Sequence, residues 1–269
     1  MISTMSSGTK LVKDDKITYW MDPHEHLSGT SVDDVHASKL TTSWNNATLT
    51  NATYSSDNQG IYSMSSGGKI QFPTSTSNNP FRSLWQPSSS GALNRTISAW
   101  VYCTSSNAVT IYSTSASGTN NYSPSWSLHV ESNGKLRMRL NKIVQNPNAG
   151  PILATGYYES SSSMVDYDEW NYLTLTTEDN GLSGSNRWMV WKFYKNGVFV
   201  EQDPNRTFLI NSQFRADTSI TWNFTEIDTT QLFSGDDHKA GPLYVHDVTL
   251  TAAEIKRNYM QHKSRFQEM

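Results

Sequence analysis

A single cysteine, Cys103, stands in 269 residues. That excludes an internal disulfide and any zinc site built on cysteine pairs. No stretch reaches the roughly 20 apolar residues of a membrane-spanning helix, so no membrane insertion is expected. The first ten residues hold Ser, Thr and Gly but no apolar run, and they lack the core of a secretory signal. The expectation is synthesis in a cytosol. Basic residues are not in excess: 21 Lys and Arg face 24 Asp and Glu, for a net charge of −3. Nucleic acid is therefore not an expected partner, since affinity for it comes from neutralising phosphates. Six Asn-X-Ser/Thr triplets, at Asn46, Asn51, Asn94, Asn121, Asn205 and Asn223, are read as chance in a chain rich in those residues that shows no secretory signal.

What the chain does have is rings. Aromatic residues make up 12% of it, within a modest hydrophobic total of 36%. Large aromatic side chains among abundant Ser, Thr and Asn suit short strands joined by polar loops. Such sandwiches often reach roughly 200–250 residues as one domain.

Residues 1–16 read as a polar N-terminal arm, Ile17–Met21 as a first strand, and residues 24–60 mostly as loop. Ile97, Ala99 and Val101 alternate with Ser98, Trp100 and Tyr102: a strand of period two, with Val109–Ser113 as its expected hairpin partner. Trp126, Leu128 and Val130 alternate with Ser127, His129 and Glu131. After Ser132-Asn133-Gly134, Leu136, Met138 and Leu140 alternate with Lys135, Arg137 and Arg139. Asn-Gly between alternating runs is a strong hairpin signal because both residues accept positive φ. One face of this hairpin is apolar and covers a core; the other is charged and meets solvent or a neighbouring subunit. Residues 141–165 read as a long loop. Trp170–Thr176 and Trp188–Tyr194 read as strands, the latter central because both its faces are apolar. Asn196-Gly197 turns the chain again, and Gly241–Leu250 is a last strand. Thr251 and Glu254 then form a capping box for a helix at about 251–263, expected against one end of the sandwich. The fold class expected is all-β: a two-sheet antiparallel β-sandwich with a short C-terminal helix.

The stretch from Gly241 to Phe266, with its Leu250-Thr-Ala-Ala-Glu-Ile255 step, Asn258-Tyr259 and Arg265-Phe266, resembles the ending of laminin-G-like, concanavalin A-like jelly rolls in phage virion proteins. Asp168–Thr176, Trp191–Val198 and Ile97–Tyr102 are similar to other strands of that family, as are Tyr19–Pro23 and Leu49–Asp57 to its opening. The matches stand in order over residues 17–266. Residues 22–44 depart from the family's Gly-Asn-rich pattern. The resemblance implies a jelly-roll domain over 17–269 and a non-enzymatic virion structural protein, a capsid decoration or fibre component, on the virion surface. Its implied partners are other virion proteins and further copies in a homo-oligomer. The alternative is a glycan-binding adhesin that contacts a host-surface glycan; a polysaccharide hydrolase of the same fold is a remote third.

Fold does not fix function, so candidate sites are weighed separately. Hydrolases of this fold carry a Glu-x-Asp-x-x-Glu strand. Here Glu226-Ile-Asp228-Thr-Thr-Gln231 ends in Gln, which cannot act as a general acid, and no catalytic residue is assigned. Asp236 and Asp237, with His238, or Asp166 with Asp168, are oxygen ligands of the kind Ca²⁺ takes, or else solvated turn residues. His24 and His26 are read as surface residues. Cys103 reads as a small core residue. Carbohydrate binding needs aromatic platforms beside polar groups, and the candidates are Asn120, Asn121, Tyr122, Tyr157 and Tyr158, with loop packing as the other reading. The basic residues of the last helix suit its C-terminal dipole.

Overall fold

The computed structural model describes residues 11–23, 31–32, 47–72, 94–104, 107–116, 125–141, 144–146, 150–152, 155–183, 186–203, 208–211 and 227–267. In chain order the strands are β1 (Ile17–Met21), β2 (Ser31–Val32), β3 (Ala47–Ser55), β4 (Ile61–Phe72), β5 (Arg95–Cys103), β6 (Val109–Ala116), β7 (Ser125–Val130), β8 (Leu136–Asn141), β9 (Val144–Asn146), β10 (Gly150–Ile152), β11 (Thr155–Glu159), β12 (Trp170–Ser183), β13 (Asn186–Lys195), β14 (Val198–Gln202), β15 (Phe208–Asn211), β16 (Ile227–Gly235) and β17 (His238–His246). The helix α1 (Ala252–Phe266) follows the last strand. Among the described residues no helix is long and apolar enough to cross a membrane.

The strands form an antiparallel ladder ordered β11-β8-β7-β6-β16-β4-β17-β5-β12-β13-β14, which curls so that its two halves face each other as the layers of a sandwich. The all-β expectation stands. Cross-strand register explains the core. In the second layer, Leu49, Ile70, Leu232, Tyr112, Leu128, Met138 and Tyr158 are successive partners across seven strands. Partners in an antiparallel pair share a face, and every member of this row belongs to the main core or packs against it. Leu136 and Met138 are fully buried, as their alternation required. In the first layer, Tyr19, Val245, Ile97, Leu175 and Phe193 form the opposing row within the same cluster.

β4 joins the layers. It pairs with β17 over Tyr62–Met64 and with β16 over Gly68–Phe72. The change of partner falls at Ser65–Gly67, where Asn51 Nδ2 donates to the Ser66 carbonyl (3.0 Å) and Ser65 Oγ donates to the Asn51 carbonyl (3.0 Å).

The first layer is covered on its outer face as well. Thr251 caps α1: its Oγ1 accepts from Glu254 N (3.3 Å), and Glu254 Oε2 accepts from Thr251 N (2.8 Å). Ile255, Asn258, Tyr259, His262 and Phe266 are buried, a spacing that makes one helical stripe. Phe266 and Tyr259 stack on Trp100, at ring separations of 4.6 and 5.7 Å. Arg265 forms a bidentate pair with Asp22 (2.8 and 3.0 Å), both side chains nearly buried. The helix thus lies across the outer face of the first sheet, not at an end of the sandwich, and runs to Phe266. The apolar Trp100 on that face requires the cover. Among the described residues Leu11 is the first that is buried, together with Ile17, Trp20 and Tyr244. Val12 N donates to Asn258 Oδ1 (2.9 Å).

Three other expectations are corrected. β6 is not the partner of β5: β5 pairs with β12 and β17, and β6 with β7 and β16. β5 is buried on both faces, so it belongs in the doubly covered layer. Residues 24–60 contain β2, β3 and a 3-10 turn at Asp57–Gln59. Residues 141–165 contain β9, β10 and β11, and β11 extends the β7–β8 hairpin.

Both Asn-Gly hairpins form, with Gly134 at φ +78 and Gly197 at φ +75. Gly197 lies beneath α1: an added Cβ would sit 2.9 Å from Lys256 Cδ and 3.0 Å from both Lys256 Cα and Tyr259 Cβ. Gly197→Ala is expected to cost about 1–3 kcal/mol, combining positive-φ strain with displacement of the helix. A urea titration that finds no loss would refute this.

Candidate functional site: the open face of the second sheet

The first sheet is covered by the core on one side and α1 on the other. The second sheet leaves a polar face uncovered by the helix. The residues between those of its buried row define it: Thr48, Gln71, Gln231, Ser113, Ser127, Arg139 and Tyr157 are successive partners over the same seven strands. A second, shorter row runs Thr110, His129, Arg137, Glu159.

These rows meet at β7, β8 and β11 in a built arrangement. Arg137 is held between two carboxylates. Its Nη1 lies 2.9 Å from Glu131 Oε1, and its Nε donates to Glu159 Oε2 (2.8 Å), with Nη2 on the same oxygen. Lys135 Nζ lies 3.4 Å from Glu159 Oε1. Burial pushes the Glu159 carboxyl up, but the hydrogen bonds and charges of Arg137 and Lys135 outweigh it and leave it below its usual range. The pinned Arg137 guanidinium lies over the Tyr157 ring, 5.0 Å from its centroid. Tyr157 is nevertheless 59% exposed. It is a fixed ring with open surface, which is what an aromatic platform requires. Tyr158, one residue on, points the other way and stacks on Phe193 at 5.1 Å, so the two adjacent tyrosines have opposite roles.

His129 is the direct cross-strand partner of Arg137. Its Nδ1 meets Thr110 Oγ1 (3.0 Å) and its Nε2 meets Ser127 Oγ (2.5 Å). Burial, then the charges of Arg137 and Arg139, lower its pKa to about 4. The Ser127–His129 contact has the residue types of a nucleophile and base. The imidazole Nδ1 meets the Thr110 hydroxyl and, among the described residues, no carboxylate that would orient the ring, and two cations oppose the imidazolium that general-base catalysis generates. The pair is a polar brace for the face.

The other sequence candidates stand elsewhere. Asp236 Oδ1 accepts from Gly67 N (2.7 Å), and the Asp237 carbonyl accepts from Thr104 Oγ1. Both residues therefore tie the β16–β17 turn to neighbouring strands. Asp166 pairs with Lys195 (2.8 Å). Among the described residues no group of three His, Cys, Asp or Glu is placed to hold a metal ion. Cys103 is buried, and burial pushes its thiol up to about 12. Asn120, Asn121, Tyr122, His24, His26 and Glu226 lie outside the described residues. Sequence reasoning named Tyr157 and noticed the Lys135/Arg137/Arg139 stripe, but did not connect them. The link is the pairing of β11 with β8, and the alternation at Tyr157-Tyr158-Glu159 was the signal for it.

No protein-family model matches the chain, and no curated protein matches it. Solved structures do. The binding domain of botulinum neurotoxin DC in complex with SialylT aligns at a TM-score of 0.51 and 18% identity, over 92% of this chain and 52% of that one. The binding domain of botulinum neurotoxin serotype D/C VPI 5993 aligns at 0.53 and 16%, with the same coverage. Trypanosoma rangeli sialidase in complex with sialic acid aligns at 0.56 and 11%, over 97% of this chain and 35% of that one. The chain spans about half the length of the neurotoxin domains it matches. At these identities the likeness is one of architecture: this chain shares an all-β fold with receptor-binding domains and with a sialidase.

Proposed function

We propose that the protein is a non-enzymatic glycan-binding module whose binding surface is the open face of the second sheet. The observation that carries this reading is Tyr157, a tyrosine more than half exposed and held by Arg137 at the end of a seven-strand polar row. Sugars offer C–H faces that pack on aromatic rings and hydroxyls that pair with side-chain amides, hydroxyls and guanidinium groups. Gln71, Gln231, Ser113 and Arg139, none of them buried, supply those groups. Two of the fold's neighbours, the neurotoxin DC domain with SialylT and the sialidase with sialic acid, were solved with such ligands, which supports the choice of ligand class. At Ser127–His129 the imidazole Nδ1 is engaged by Thr110 and two cations oppose its protonation, which supports the non-enzymatic side.

The test is a glycan array followed by titration calorimetry on the best hit. Tyr157→Ala is expected to weaken binding about fivefold or more with the fold unchanged, since the loss of a stacking ring is worth about 1 kcal/mol or more. Full binding by this variant would sink the reading.

We propose that the module is displayed on a virion surface as a homo-oligomer, among other virion proteins. That setting rests on the sequence resemblance of Gly241–Phe266. Antibody labelling of intact particles tests it, and unlabelled particles would count against it.

A further inference from the structure

The charges on the open face are not balanced. On β7, β8 and the turn between them, and on β11, the cations are Lys135, Arg137 and Arg139; the carboxylates are Glu131 and Glu159. Three against two leaves one positive charge, on a chain whose overall charge is −3. Its location is specific. Arg137 takes both carboxylates, and Lys135 shares Glu159. Arg139 takes no carboxylate among the described residues, and it is exposed. It is also the direct cross-strand partner of Tyr157, so its side chain shares the face on which the ring stands. On its other side it is the partner of Ser127. A planar guanidinium with all its donors available is suited to a carboxylate, which it can hold with two parallel hydrogen bonds.

We infer that the sugar recognised by this face carries a carboxylate, as sialic and uronic acids do, with the acid group on Arg139 and the ring against Tyr157. This rests on the glycan-binding reading above and narrows it. Glu131 and Glu159 do not repel the acid, because Arg137 and Lys135 already neutralise them. His129, the cross-strand partner of Arg137, offers a hydroxyl-linked neutral imidazole and no competing negative charge.

The experiment compares matched ligand pairs by calorimetry. Sialyllactose is set against lactose, and oligogalacturonate against its carboxyl-reduced, neutral form. Wild-type protein is expected to bind the acidic member of at least one pair about tenfold or more tightly, because a site built for a charged group loses much of its affinity when that group is removed. The pair that shows the preference distinguishes sialic from uronic acid. In Arg139→Gln the acid-over-neutral ratio is expected to fall to near one. Arg139 is exposed, and circular dichroism verifies that the variant is folded. Equal wild-type affinity for acidic and neutral members, or an acid preference that survives Arg139→Gln, would overturn the inference and leave the glycan-binding reading standing. If no sugar on the array or in the titrations binds, both fall.

Discussion

Trp100→Ala is expected to lower the stability of the protein by about 3–5 kcal/mol, the range for emptying a large aromatic site in a core. Trp100 has no exposed surface and joins two elements. It stands on β5, with Tyr172 of β12 beside it at 5.2 Å, and it receives Phe266 and Tyr259 from α1. Little nearby can relax into the space. Gly241, packed so that a Cβ would meet Trp100 Cβ at 2.9 Å, has no side chain to offer, and Trp170 is already in contact with Phe266 at 4.7 Å. The variant should lose urea stability and also loosen α1. Hydrogen exchange over Ala252–Phe266 should accelerate more than over β7 and β8, which lie in the other layer. Equal acceleration in both would show that Trp100 does not anchor the helix.

Acid is expected to destabilise the protein steeply below about pH 6.5. His129, His238 and His262 each have a pKa lowered from 6.5 to about 4, with burial the largest cause in every case. At His238 the Phe233 carbonyl, 3.1 Å from Nε2, and the charges of Asp236 and Asp237 oppose the shift without cancelling it. At His262 Asp22 pulls upward and Arg265 downward, while Nε2 meets the Tyr244 hydroxyl at 3.1 Å. The unfolded chain takes up protons on these groups near pH 6.5, and the folded chain does so only near pH 4. The stability they confer is therefore intact above pH 6.5 and is lost as pH falls to about 4. Each contributes a slope of about 1.4 kcal/mol per pH unit, to a limit of about 3 kcal/mol. Three together rival the roughly 5–15 kcal/mol stability of a typical domain. Urea midpoints at pH 7.5, 6, 5 and 4.5 should fall progressively, and His262→Gln should remove about a third of the slope. A midpoint that does not move between pH 7.5 and 4.5 would contradict the burial of these side chains.

The sequence made some of this legible and hid the rest for identifiable reasons. The hairpins at Asn133-Gly134 and Asn196-Gly197 could be read because positive φ in a tight turn selects Asn and Gly: Asn196 and Gly197 both adopt it in a two-residue turn, and Gly134 adopts it in the longer β7–β8 turn. The start of α1 could be read because a capping box is local chemistry. β3 was hidden because its exposed positions carry Thr and Asn, at Thr48, Asn51 and Thr53, and a register shift at Asn51 breaks its alternation. That is a loop's composition on a strand with one open face. β11 was hidden because a five-residue strand with a glycine carries little periodic signal, so Tyr157 and Tyr158 looked equivalent. One is a surface ring and the other packs on the core. The partners of β5 were misjudged because neighbouring strands in sequence need not pair in a sandwich, and only the burial of Trp100 on the second face showed which layer β5 occupies. The imbalance at Arg139 needed the register of three strands, since sequence alone does not show which cations the two glutamates neutralise.

β4 has a consequence for how the molecule comes apart. One continuous segment serves as a rung in both halves of the ladder, taking β17 at one end and β16 at the other. Neither half can detach and keep its own hydrogen bonds. Melting should therefore follow a single sigmoid, coincident by ring fluorescence and far-ultraviolet dichroism. A protease cut engineered between Ser65 and Gly67 should bring down the whole body at once, leaving no surviving fragment.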